Sequence, residues 1–304
     1  MTTLITGGTG KTGSALARLL YAANRPFIVA SRSGQAPEPF KSVVFNWHDA
    51  GTFENPFKVD PSIDRVYLVI PPGMDMMSFA GPFIDLAIVK GVKRFVLLTS
   101  TKSVAGGPAH GKVHQYLLDK GVDYAVLKPT WFMGELVPIL SLNGKELKMA
   151  LFLAATENFA HSYYRSIMDK DEISSATGDG KMPWVSCEDI AQAAFNELTA
   201  EKISNKEYFM LGPELHSCSE AAKILSSVLG REITHRKNTV EQQVEEFKKM
   251  GMPEPVGKAL AFAQTSVAEG KEAVFMDEPE DRKYVGKRTL EQYFRENRHV
   301  WMKE

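Results

Sequence analysis

Short apolar runs alternate with helical patterns through the first half of the chain. The runs are Thr2–Ile5, Phe27–Ala30, Ser42–Phe45, Arg65–Ile70, Arg94–Ser100 and Tyr124–Leu127. Between them, apolar residues recur at helical spacing: Leu16, Leu19, Leu20 and Ala23 after the first run, then Met76–Lys90 closed by Gly91, then Val113–Lys120 closed by Gly121. Runs that are apolar at successive positions suit strands buried on both faces, and helices between them cover those faces. The pattern predicts an α/β fold, a doubly wound parallel sheet of Rossmann type. Ligands of such sheets bind at the carboxyl ends of the strands. That rule gathers Gly7–Gly13, Pro71-Pro72, Thr99–Lys102 and Pro129–Met133 on one rim.

The second half reads differently. Residues from about 136 to 165 are expected to be mostly helical, followed by a turn at Ala176–Lys181, a helix over Glu188–Thr199 and a strand at Tyr208–Leu211. The tail predicts helices at Ser219–Leu229, Val240–Met250, Pro255–Ser266 and Thr289–Met302, with Phe247, Phe262, Tyr293, Phe294 and Trp301 as core. The expected organisation is a dinucleotide-binding domain over 1–135, completed by about 181–212. A smaller, mostly helical substrate-covering part takes 136–180 and 213–304.

The first turn carries the chemistry. Thr6-Gly7-Gly8-Thr9-Gly10-Lys11-Thr12-Gly13 joins a strand to a helix. Glycines at 7, 10 and 13 permit a tight turn, close approach to a pyrophosphate and close helix–strand packing; the helix N-terminus offers N–H groups to the phosphates. Gly10-Lys11-Thr12 mimics the end of a nucleoside-triphosphatase loop, but the glycine required five positions earlier is Ile5. The second strand ends in Ser31-Arg32-Ser33. An NAD site places an acid there; a guanidinium instead clamps a 2′-phosphate, so NADP(H) is preferred over NAD(H).

Composition narrows the partners. The 304 residues are 44% hydrophobic and 24% charged, with a formal net charge of -1. A nucleic-acid partner or an anionic membrane has no electrostatic support. Two cysteines, Cys187 and Cys218, make no disulfide framework, and no spacing predicts a metal site. Without a leader pattern or a bilayer-length apolar run, the expected location is cytoplasmic, and the expected partner is a small-molecule substrate.

Six stretches carry a resemblance: Gly7–Thr12, Arg94–Leu98, Leu127–Met133, Ser175–Lys181, Leu211–Leu215 and Leu229–His235. In them the chain resembles the NmrA-like atypical short-chain dehydrogenases, and within that group the fungal ergot-alkaloid reductases. The resemblance implies an NADPH-dependent reductase of secondary metabolism that acts on the C=N bond of an indole-alkaloid iminium. It implies cofactor contacts from Gly7, Thr9, Gly10, Lys11, Thr12, Gly13, Ser31, Arg32, Ser33, Asn46, Pro71, Pro72, Thr99 and Ser100. Substrate contacts fall to Thr101, Pro129, Thr130, Trp131 and Phe132. The chain departs from the pattern at Asn46, where the group has Asp, and at Gly134-Glu135. Extra residues lie between about Val137 and Tyr164, which leaves the substrate open.

Tyr116 and Lys120 have the Tyr-x-x-x-Lys spacing of ordinary short-chain dehydrogenases, but Lys120 lies only nine residues before Pro129. We read the match as accidental. The register points to His110, Lys112 and His114 as candidates for ribose contact or proton donation. A missing tyrosine fits an iminium substrate, because a cation that accepts hydride needs no proton. Two rivals keep the fold: a dinucleotide-sensing regulator without catalysis, and a non-redox cyclase or isomerase.

Overall fold

The computed structural model describes residues 1–71, 75–133 and 160–303, the side chains of 160–162 excepted. Its strands and helices run β1 (Thr2–Ile5), α1 (Lys11–Ala22), β2 (Phe27–Ser31), β3 (Ser42–Val44), α2 (Asn55–Val59), β4 (Ile63–Leu68), α3 (Met77–Val89), β5 (Arg94–Leu98), α4 (His110–Lys120) and β6 (Asp123–Pro129). They continue as α5 (Ala160–Lys170), β7 (Glu172–Ser175), β8 (Lys181–Met182), α6 (Cys187–Thr199), β9 (Glu207–Leu211), β10 (His216–Ser217) and α7 (Cys218–Leu229). The last are β11 (Thr234–Lys237), α8 (Val240–Lys249), α9 (Glu254–Ala268), β12 (Lys283–Val285) and α10 (Leu290–Glu296).

Two compact units result. The first comprises Met1–Pro129, Cys187–Met210 and Glu280–Tyr284; the second comprises Thr130–Ser186, Leu211–Pro279 and Val285–Glu304. The principal sheet has the order β12-β9-β6-β5-β4-β1-β2-β3, and every pair from β9 to β3 is parallel. The strand order reverses at β1, which lies between β4 and β2. A crevice for a ligand opens at such a switch point. The apolar runs read in the sequence are these strands, with Leu4, Val66, Phe95 and Val126 fully buried on one side of the sheet. On that side Phe45, Trp47, Phe53 and Phe83 pack edge to face and stacked, with centroids 5.0–5.4 Å apart among Phe45's three contacts.

Several boundaries moved. α4 begins at His110, three residues before its apolar pattern, and in its first turn Gly111 packs where a Cβ would stand 2.2 Å from the Val104 carbonyl oxygen. The tail helix expected over Thr289–Met302 is two pieces. Asn297 folds its side-chain amide back onto the Tyr293 carbonyl (2.9 Å), and a 3₁₀ turn over Arg298–Trp301 follows. Phe262, expected in the core, is 72% exposed on α9. The helical expectation for 136–165 lies almost wholly outside the described residues, as does the extra segment. From residue 160 the chain is α5.

The second unit holds a hydrogen-bonded chain through two short parallel strands, β7 and β11. Thr177 Oγ1 donates to Cys218 Sγ (3.3 Å), so it accepts from Ser175 Oγ (2.7 Å). Ser175 must then accept from His235 Nε2 (2.9 Å), which leaves His235 Nδ1 as the acceptor for Ser219 Oγ (2.8 Å). Burial pushes His235 down to about 4, and nearby Lys237 adds to the shift. The folded state therefore prefers the neutral ring, while an unfolded histidine takes a proton near pH 6.5. Stability should hold above pH 6.5 and fall by about 2 kcal/mol as pH drops from 6.5 to 4, discounting for partial exposure. Denaturant titrations at both pH values measure this, and His235→Gln should flatten the difference.

Candidate functional site

The rim of the first unit is built around the turn after β1. Gly7 has φ +63 and lies against Val69, with a virtual Cβ 3.1 Å from Val69 Cβ. Left-handed φ suits glycine. Gly10 N–H donates to the Gly7 carbonyl (2.9 Å) and closes the turn. Gly13 sits in α1 directly behind it; a Cβ there would lie 2.4 Å from the Gly7 carbonyl oxygen and 2.8 Å from Gly8 Cα. The helix can thus approach the loop only because residue 13 has no side chain. α1 starts with no side-chain cap and no acid in its first turn. Its positive end is therefore not neutralised by its own sequence. Thr9 is exposed, Lys11 half-buried and Thr12 buried.

Val69 is a residue that sequence reasoning missed. Thr6 Oγ1 accepts from Val69 N–H (2.8 Å), and Trp47 Nε1 donates to the Val69 carbonyl (3.1 Å). These bonds hold the wall against which Gly7 turns. No sequence signal marks Val69 apart from its place at the end of an apolar run. Beneath the loop lies a second unforeseen group, Tyr67. Its hydroxyl is fully buried beside Thr12 and makes no hydrogen bond of normal length; burial raises its pKa.

Arg32 follows β2. It is exposed and has no ion-pair partner among the described residues. Ser31 is buried and donates to the Gln35 carbonyl (2.8 Å), while Ser33 Oγ accepts from Gln35 N–H (3.3 Å). The two hydroxyls shape the turn and leave the guanidinium outward. Asn46 Oδ1 accepts from His48 N–H (3.1 Å), which orients the side chain and leaves its NH2 and one oxygen lone pair for a ligand.

Along the rest of the rim, Pro71 is half-buried and Pro72 lies outside the described residues. Thr99 is buried and donates from Oγ1 to the Leu127 carbonyl (3.2 Å); Ser100 is exposed. Thr101 N–H donates to the Pro129 carbonyl (3.3 Å), which joins the ends of β5 and β6. Among the described residues no cluster of side chains could hold a metal ion.

The three candidates on α4 separate. His110 follows Ala109, which has φ +51, an unusual conformation outside glycine. The His110 ring hydrogen-bonds to the Ile70 backbone at the end of β4, and burial lowers its pKa, so it is neutral at physiological pH. Lys112 is exposed. His114 is 4% exposed and turned inward, with Nδ1 3.9 Å from Glu207 Oε2 and its ring 5.7 Å from that of Tyr124. Tyr116 and Lys120 meet Asp85 of α3 instead of the rim: Tyr116 donates at 2.8 Å and Lys120 pairs at 2.6 Å.

Past Pro129 the chain enters the second unit. Thr130 Oγ1 donates to the Pro183 carbonyl (2.6 Å). Trp131 is buried in that unit's core with Met133 and Trp184, and half-buried Phe132 bridges to Val185. Trp131, read in the sequence as a substrate contact, packs in this core.

No family model matches the chain. Two curated relatives match end to end. Festuclavine synthase II of Penicillium roqueforti is 37% identical over 309 positions, covering 99% of this chain and 100% of the relative. Agroclavine dehydrogenase of Claviceps fusiformis is 36% identical over 309 positions, covering 99% of each. Among solved structures, the Citrobacter triphenylmethane reductase complexed with NADP(H) superposes with a TM-score of 0.68 at 19% identity, covering 93% of each chain. The leucoanthocyanidin reductase–NADPH complex of Vitis vinifera gives 0.66 at 16% identity, covering 98% of this chain and 99% of that one. The structures share the fold, and the sequence relatives carry the assignment: the chain belongs to the festuclavine synthase and agroclavine dehydrogenase family of oxidoreductases.

Proposed function

We propose that the protein is an NADPH-dependent reductase acting on the C=N bond of a cyclic, apolar alkaloid iminium. The observation that carries the cofactor half is the pairing of the glycine cradle with Arg32, a guanidinium without a partner where an NAD site needs an acid. When bound, NADPH supplies the hydride. Gly7, Gly10, Gly13 and the start of α1 hold the pyrophosphate, and Arg32 holds the 2′-phosphate. Neutral His110, anchored on the Ile70 backbone, offers its second ring nitrogen to a ribose hydroxyl and so orients the carrier. Exposed Lys112 contributes charge to the same helix end.

The substrate half rests on the relatives and on chemistry. Reducing a ketone builds charge on oxygen and calls for a positioned acid. Here Tyr116 and Lys120 are tied to Asp85, and His110 is held neutral. An iminium already carries its positive charge, so hydride transfer completes the reaction without a donor. What remains for the protein is proximity and orientation. We assign substrate recognition to the second unit, with half-buried Phe132 among its aromatics. The name festuclavine synthase, borne by the relative, supports a substrate of this class.

NADPH oxidation with a preformed cyclic iminium, set beside a ketone of the same skeleton, tests the reaction. Turnover of the iminium alone is expected; turnover of the ketone alone refutes it. Arg32→Glu tests the cofactor assignment. NADPH affinity should fall roughly 30-fold, equivalent to about 2 kcal/mol of lost charge-assisted bonding, with NADH affinity within a few-fold of wild type. Fluorescence titration of both dinucleotides reads the difference.

A further inference from the structure

One charged cluster in the first unit takes no part in the reaction described above. Lys128, on β6, is 3% exposed, an unusual place for an ammonium. Its Nζ lies 3.3 Å from Glu207 Oε1 and 4.5 Å from the centre of the Phe209 ring. Arg282 approaches the same two groups, with Nη2 3.2 Å from Glu207 Oε1 and its guanidinium carbon 5.7 Å from the ring centre. The other carboxylate oxygen faces His114 Nδ1 at 3.9 Å. One carboxylate therefore collects side chains from β6, from α4 and from the 280–284 segment.

The sheet register makes this a fixed arrangement. Val126 pairs with Glu207 and Lys128 with Phe209, so Tyr124, Lys128, Glu207 and Phe209 share one face of the two strands. His114 reaches that face from α4, one turn after His110. Four residues apart on a helix, the two rings point to the same side. His110 reaches the end of β4 while His114 reaches Glu207. α4 thus meets the sheet at two points, at His114 by packing against Glu207 beyond hydrogen-bond distance, and only the first belongs to the rim.

We infer that Glu207, held by Lys128 and Arg282, is a positioning residue: through His114 it sets α4 so that His110 meets the cofactor ribose. This rests on the function proposed for His110. The groups facing His114 are Glu207, Lys128 and Tyr124, with Arg282 behind the carboxylate. Burial lowers the His114 pKa, Glu207 opposes the shift and Lys128 adds to it. The neutral ring is therefore favoured in the wild type, with Lys128 and Arg282 both gathered on the Glu207 carboxylate.

The test compares Glu207→Gln, Lys128→Met, Lys128→Arg and the double variant Lys128→Met/Glu207→Gln, which leaves no lone buried charge if a single variant fails to fold. In Glu207→Gln and in the double variant, amide exchange in the first turn of α4 should quicken about ten-fold, with exchange in β1 and β4 unchanged. The kcat for iminium reduction should fall about ten-fold while the KM for NADPH stays within two-fold, because orientation suffers and phosphate binding does not. Lys128→Met should share part of that loss in kcat, and Lys128→Arg should restore most of it. In Lys128→Met, the His114 ring should titrate about one pH unit higher, read by NMR. Unchanged α4 exchange overturns the inference whatever the activity, and so does a uniform rise across the molecule. If the wild type reduces no iminium, the proposed reaction fails, and α4 exchange still decides the role of Glu207.

Discussion

Gly13→Ala is expected to weaken dinucleotide binding on the order of 100-fold, about 2.7 kcal/mol. The substitution is the smallest available, yet its methyl group meets backbone. The added carbon would lie 2.4 Å from the Gly7 carbonyl oxygen and 2.8 Å from Gly8 Cα. A side chain could rotate away; a carbonyl in a closed turn cannot move without opening it. The Gly10 N–H bond to that same carbonyl would stretch, and α1 would slide from the loop. Overpacking of a well-packed interior costs about 1–3 kcal/mol, and here it falls on the atoms that form the phosphate cradle. Gly10→Ala provides the graded comparison for packing, since its Cβ would meet only the Gly7 carbonyl oxygen, at 3.1 Å. Titration of NADPH fluorescence decides the matter: a Gly13→Ala dissociation constant within three-fold of wild type refutes this account of the cradle. Circular dichroism of the variant should stay close to wild type, because α1 keeps its contacts with α6 along its length.

The contrast between these glycines and the residues of α4 shows what the sequence can convey. A glycine needed for close approach leaves its mark at a fixed spacing beside a strand, and a buried parallel strand leaves an unbroken apolar run. The place of Arg32 directly after β2 was legible for the same reason, since its position relative to the turn is set by one strand–helix–strand unit. His114 was not. Its one-turn offset from His110 is visible, but the carboxylate it faces lies 93 positions later on a strand that returns to the sheet from a distant segment. β7 and β11 escaped because all their side chains but Ile173 are polar and they pair with each other, so alternation gave no signal. Phe262 was misplaced because an aromatic residue in a helical pattern fits core and surface equally well until its neighbours are known. The Tyr116–Lys120 spacing shows the reverse error avoided. The match in spacing is real, but the two side chains sit near the carboxyl end of α4 and are claimed by Asp85.

The second large effect concerns a residue that the resemblance singled out without explaining. Arg94 opens β5 and is 6% exposed. Its guanidinium makes no buried ion pair with a carboxylate; it donates to the carbonyls at the end of α6. Nη1 reaches Glu197 (3.0 Å), Leu198 (3.4 Å) and Ala200 (2.6 Å), and Nη2 reaches Glu201 (3.3 Å). The last carbonyls of a helix have no partners of their own and carry its negative end. One planar cation with five donors satisfies them together, which a lysine's single ammonium cannot do. Burial lowers the Arg94 pKa, and neighbouring Arg65 adds to the shift, yet an arginine remains charged at neutral pH. Arg94→Met keeps most of the buried stem and removes the donors. The Leu198 carbonyl keeps a second donor, Arg65 Nη1, but the Glu197, Ala200 and Glu201 carbonyls lose the guanidinium in a site that water reaches poorly, at about 1–3 kcal/mol for each group so stranded. Helix fraying will relieve part of that, so the expected loss is about 3 kcal/mol, a large share of ordinary domain stability. Arg94→Lys should recover less than half of it. Urea titration monitored by far-UV circular dichroism measures both variants, and a loss below about 1 kcal/mol for Arg94→Met would mean that α6 ends securely without its guanidinium.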